Sequence, residues 1–107
     1  MKIVYIAGPF RGPNAWAIEC NVRVAENAAL SVAMAGFCPL CPHAMFRHFD
    51  KTLPDSFWLS ATQDLLRRCD SMLLVGNWER SQGALAEKVL AESLNIPVVY
   101  DVAELRS

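Results

Sequence analysis

The sequence predicts a three-layer, doubly wound α/β domain, flavodoxin-like or Rossmann-like, built on a mainly parallel four-stranded sheet. Three observations carry this expectation. Short apolar runs alternate with longer stretches of helical period, Gly, Pro or Asn separates one from the next, and the resulting order is βαβαβαβ. Strands that alternate with helices pair in parallel through right-handed crossovers, which puts helices on both faces of the sheet. At 107 residues the chain makes a single domain, 1–107. With 53% hydrophobic and 20% charged residues it is too apolar to stay unfolded.

Lys2-Ile3-Val4-Tyr5-Ile6-Ala7 is nearly continuous in apolar residues, the pattern of a strand buried on both faces, and Gly8-Pro9 ends it. Ile18, Val22, Ala25, Ala29 and Val32 then recur at helical spacing. With Asn14 as N-cap and Gly36 as stop, they predict a helix over about residues 15–35. Phe37 to Pro42 reads as a short strand that its prolines confine to a sheet edge. His43 to Pro54 shows no period and reads as a functional loop or lid. A second helix starts near Asp55, with Trp58, Ala61, Leu65 and Cys69 as its stripe. Ser71 to Val75 is a buried strand, Gly76 to Gly83 a polar loop, residues 82–95 a third helix, and Val98-Val99-Tyr100 the last strand.

Ten Lys and Arg against eleven Asp and Glu give a net charge of -1, which supplies no field for a nucleic-acid polymer or an anionic membrane. No apolar run approaches the roughly 18–20 residues that span a bilayer, and the run at the N-terminus is shorter than a secretory signal. A soluble, cytoplasmic protein is expected. Its four cysteines are then expected to be reduced.

In open parallel sheets ligands bind beyond the carboxyl ends of the strands. The loops at that edge carry Arg11, His43, His48, Trp78, Glu79, Arg80 and Ser81. Glu87 stands out separately, because on the third helix it lies in line with Gly83, Leu90 and Leu94. A carboxylate on a partly buried line is either paired by a neighbour such as Lys88 or used in a site. Asp64 has Arg67 and Arg68 at i+3 and i+4, the spacing of an ordinary surface pair. Asp70 reads as a turn residue. Cys38-x-x-Cys41-x-His43 has metal-like spacing but lacks a second cluster, so neither a metal nor another cofactor is expected. His43 either faces the crevice or is held by structural hydrogen bonds, and Trp78 either stacks on a base or caps the core. Arg80-Ser81 at a helix N-terminus, with Arg11 brought to the same edge, suits an anion.

Tyr5-Ile6-Ala7-Gly8-Pro9-Phe10-Arg11-Gly12, Asp64-Leu65-Leu66-x-x-Cys69-Asp70, and Gly83-x-x-x-Glu87 followed by Asn95-Ile96-Pro97 together resemble the nucleoside 2-deoxyribosyltransferase superfamily. Gly76-Asn77-Trp78-Glu79-Arg80-Ser81-x-Gly83 is similar to the corresponding loop of its short phage and bacterial branch. The resemblance implies cleavage or exchange of the N-glycosidic bond of a 2′-deoxynucleoside or its 5′-monophosphate. It implies Glu87 as the nucleophile at the anomeric carbon, Asp64 as the carboxyl that contacts the sugar and assists proton transfer, and Tyr5 as an active-site tyrosine. From the related 2′-deoxynucleoside 5′-phosphate N-hydrolases, Arg11 and Ser81 are implied to hold a 5′-phosphate. Gly8, Pro9, His43, Trp78, Arg80 and Gly83 complete the expected substrate contacts. Those hydrolases carry serine where Pro9 stands, and Gly8-Pro9 resembles the transferases instead.

The alternative is a non-catalytic module that binds a nucleotide on the same fold. Either way the partner is a small nucleoside or nucleotide. A homodimer or higher oligomer is also expected, since a small sheet domain hides its apolar surface poorly and Ala15, Trp16, Ala17, Ala28, Leu30 and Ala33 broaden the apolar face of the first helix. The segment after the last strand is expected to fall short of what completes a neighbour's pocket in the superfamily.

Overall fold

A computed structural model describes residues 1–107. Four strands, β1 (Ile3–Ala7), β2 (Cys38–Leu40), β3 (Ser71–Leu74) and β4 (Val98–Val99), form one sheet in the order β2-β1-β3-β4. Every pair is parallel: Tyr5 lies opposite Leu40 on one side and Met72 on the other, and Leu73 lies opposite Val99. The doubly wound α/β architecture is therefore as expected, with β2 at an edge where Pro39 and the missing N–H are tolerated.

Alternation along β1 divides the core in two. Val4 and Ile6 pack with Ala25 and Val32 of α1 (Ala15–Met34), together with Leu73, Val99 and Leu105. Tyr5 and Ala7 face the other way, toward Leu66 of α3 (Asp55–Arg67) and Ala84 and Ala91 of α4 (Gln82–Ser93). One helix thus covers the first face and two cover the second. Gly8 has to be glycine where β1 leaves the sheet: a Cβ there would lie 2.8 Å from both the Val75 carbonyl oxygen and its Cγ2.

Asn14 caps α1, its Oδ1 accepting from the Ala17 N–H at 2.8 Å. The helix gives way through Ala35 to Gly36, whose φ of 93° is the left-handed conformation glycine allows. Similarly, α4 closes at Leu94, before Asn95 at φ 59°.

One local reading is corrected and another widened. The aperiodic stretch after β2 contains a short helix, α2 (Pro42–Phe46), too brief to show a period but marked by proline at its first position. On α3 the expected stripe faces inward, with Cys69 buried and Leu65 packed on the core, and it widens to take in Leu66, which is fully buried. No helix is long and apolar enough to cross a membrane.

Candidate functional site

A cavity of about 830 Å³ opens beyond the carboxyl end of β1, between α2 and α3 on one side and the start of α4 on the other. That volume lies within the range of small-molecule sites. Tyr5 reaches it from β1, and Gly8, Pro9, Phe10 and Arg11 from the loop that follows. His43, Phe46, Asp50, Asp55, Trp58 and Thr62 form the α2–α3 wall, and Asn77, Arg80, Ser81, Gly83 and Glu87 the α4 wall.

The centre is a Tyr5–Glu87 pair, in which the phenol donates to Glu87 Oε2. Its position follows from local sequence. Ala84 and Ala91, at i−3 and i+4 from Glu87, are fully buried against the sheet, and their small size lets α4 lie close enough for Glu87 to meet the strand residue. Burial pushes the Glu87 carboxyl up to about 7, against the opposing effect of the Tyr5 hydrogen bond. Tyr5 is raised far above the usual phenol range, first by burial, then by the charge and hydrogen bond of Glu87, with Thr62 opposing. Tyr5 therefore stays a proton donor, while Glu87 divides between acid and carboxylate near neutral pH.

His43 is a clip. Its Nε2 lies 2.9 Å from the Pro9 carbonyl and 3.1 Å from that of Gly8, so Nε2 carries the proton and ties α2 to the loop after β1. Burial lowers its pKa, which keeps the ring neutral; Nδ1 has no partner. Arg11 lines the cavity but is held by carboxylates, donating to Asp55 at 2.7 Å with Asp50 at 3.4 Å. Ser81 caps α4, its Oγ accepting from the Ala84 N–H at 3.1 Å, and Arg80 stands beside it in no ion pair. Free N–H groups in the first turn, the hydroxyl proton and this guanidinium give that wall its donors.

Two expected residues are not at this site. Asp64 is exposed and does not line the cavity. It lies two positions from Thr62 and from Leu66, about 200° round the helix from the residues that face inward. Trp78, in the one-turn helix Trp78–Arg80, packs on the core under Tyr100, with ring centroids 5.5 Å apart, and so takes the capping role rather than the stacking one. His48 and Glu79 are likewise exposed and outside the cavity, and Asp70 accepts from the Ile3 N–H at 2.8 Å.

Sequence reasoning missed Phe46, Asp50, Asp55, Trp58 and Thr62. The available signal was composition: Phe46, Phe49, Phe57 and Trp58 crowd aromatic side chains into the stretch without a period and the first turn of the helix that follows it. They form one cluster, Trp58 lying 5.1 Å from Phe46 and 5.9 Å from Phe49 between centroids. The Cys38-x-x-Cys41-x-His43 motif forms no joint site: Cys41 is buried in the α1-side core, the His43 Nε2 is spent on carbonyls, and all four thiols are free. No three His, Cys, Asp or Glu residues are grouped to hold a metal ion.

The fold is similar to the solved structure of the 2-desoxiribosyltransferase from Leishmania mexicana, with a TM-score of 0.61 and 20% identity. The alignment covers 94% of this chain and 63% of that one, so this chain spans less than two thirds of its length. At that identity the likeness is one of fold, a parallel α/β sheet with its helices. No curated protein matches the chain by sequence. Residues 2–101 match the model of the family described as Domain of unknown function (DUF7768), and the chain belongs to that family.

Proposed function

We propose that this protein cleaves or exchanges the N-glycosidic bond of a 2′-deoxynucleoside or its 5′-monophosphate, with Glu87 as nucleophile. The observation that carries this is the Tyr5–Glu87 pair in the cavity beyond β1. A carboxylate Oε of Glu87 forms a bond to C1′ as the C1′–N bond breaks and its electron pair leaves with the base. Water or a second base then attacks C1′ and releases the carboxylate, so configuration is retained. Tyr5 orients the attacking oxygen and favours its ionised form. Arg80, Ser81 and the first turn of α4 suit the 5′ end of the sugar, and Phe46 and Trp58 offer aromatic faces for a base. With Asp64 outside the cavity, the carboxyl that the resemblance implies for proton transfer to the leaving base is not in place.

That last observation also favours a second reading, a module that binds the nucleotide without turning it over. The two are separated by incubating the protein with the four deoxynucleosides and their monophosphates and following free and exchanged base by chromatography, with calorimetry on the same panel. Base release supports the enzyme, binding without release supports the module, and neither binding nor release removes both.

Tyr5→Phe deletes the hydrogen bond that holds the Glu87 pKa down. The acidic limb of its kcat/KM profile is therefore expected to move to higher pH, with about tenfold or greater loss at pH 7 and a smaller loss at pH 9. A uniform loss across the profile would show that the phenol does not tune Glu87. We also propose that copies of the chain associate through α1, whose Trp16, Leu30 and Met34 are 64%, 61% and 80% exposed. Sedimentation equilibrium at micromolar concentration is expected to exceed the 11.9 kDa of a monomer, and a monomer mass would reject it.

A further inference from the structure

Asp50 sits in the loop between α2 and α3, with its side chain 24% exposed and its carboxylate at the cavity wall. It accepts no hydrogen bond. Arg11 lies 3.4 Å away but gives its hydrogen bond to Asp55, at 2.7 Å. A carboxylate has about four acceptor positions, and Arg11 compensates the charge of Asp50 without a hydrogen bond to it, so those positions are available to a donor that enters the cavity.

What surrounds Asp50 says what would fill them. Phe46 and Trp58 line the same wall, 5.1 Å apart between centroids, with Phe49, next to Asp50 in the chain, stacked on Trp58. Such a surface accepts a flat heterocycle. The opposite wall carries Arg80, Ser81 and Glu87. A nucleoside with its C1′ at Glu87 and its 5′ oxygen toward Arg80 leaves its base for the facing wall, where Phe46, Trp58 and Asp50 stand.

We infer that Asp50 is a specificity-determining residue, whose carboxylate selects bases that present an amino group at their polar edge and rejects those that present a carbonyl. This rests on the reading of the cavity as a deoxynucleoside site. A carboxylate only accepts, so it pairs with the amino group of cytosine or adenine. The carbonyl oxygen that replaces that group in uracil or hypoxanthine would set lone pair against lone pair.

The test is calorimetric binding of 2′-deoxycytidine against 2′-deoxyuridine, and of 2′-deoxyadenosine against 2′-deoxyinosine, on the Glu87→Gln background so that no ligand is consumed. The amino member of each pair is expected to bind about tenfold tighter or more. Adding Asp50→Asn, whose amide both donates and accepts, should bring each pair near parity, and Asp50→Glu should keep the order. Equal or reversed affinities with Asp50 intact, or a preference unchanged in Asp50→Asn, overturn the inference while nucleoside binding stands. If none of the four binds, the nucleoside reading falls and this inference falls with it.

Discussion

Glu87→Gln is expected to lower the rate of base release by about a thousandfold or more, which corresponds to roughly 4 kcal/mol of transition-state stabilisation. The substitution is nearly isosteric, and its amide oxygen still accepts from the Tyr5 phenol, so the closure of α4 on the sheet at Ala84 and Ala91 is kept. What disappears is the oxygen proposed to form the bond to C1′. Because that bond exists only along the reaction path, the loss should fall on kcat, with KM nearly unchanged. The measurement is steady-state base release by the parent and the variant across pH 5–9. A variant that retains parental kcat would remove the nucleophile role and leave the cavity as a binding site. A rise in KM alone would make Glu87 a substrate contact.

What was legible in the sequence depended on how far each signal reached along the chain. Strand β1, helix α1 and the order of elements are written in local apolar runs and caps, so Val4 and Ile6, Val22, Ala25 and Val32, and the Asn14 cap all stand where pattern alone puts them. Tyr5, Gly8, Arg11, His43, Ser81 and Glu87 converge because the loops after parallel strands share one edge, and the topology follows from the pattern. The facing of α3 is different. It depends on how a helix with few large apolar residues settles on the sheet, and Leu65 and Leu66 both pack there, with Leu66 the more deeply buried. With that setting Thr62 faces the cavity and Asp64 faces outward. Asp50 lay beyond reach for another reason. Its partner Arg11 is 39 positions away across three elements, and a loop without a period offers nothing to predict such a pairing.

The stability of the protein is expected to fall as pH rises from about 4.5 to 7, by an amount that Glu87→Gln abolishes. Burial raises the native pKa of Glu87 from 4.5 to about 7, so between those values the folded state binds more protons than the unfolded one, and the slope of unfolding free energy against pH is negative. Below that window the carboxyl is protonated in both states. Above it the residue is ionised in both, and the folded state bears the full cost of holding a charge in a poorly solvated place. That cost is on the order of 1–3 kcal/mol, because the cavity admits solvent to one side of the group. His43 acts in the opposite sense: its native pKa is lowered by burial, so its contribution is present above the ordinary histidine value and is lost as pH falls below it. The difference between parent and variant cancels His43 and isolates Glu87. Urea unfolding of both should therefore give similar stabilities near pH 4.5 and a glutamine variant more stable by about 1–3 kcal/mol at pH 8. In melting temperature that is several degrees for a domain of this size. A substitution that stops turnover and strengthens the fold in the same pH range would mark Glu87 as a residue held against stability for its chemistry. Parallel stabilities of parent and variant from pH 4.5 to 8 would show that the carboxylate sits in the cavity without cost, and the reading of Glu87 as a buried, poised nucleophile would fail.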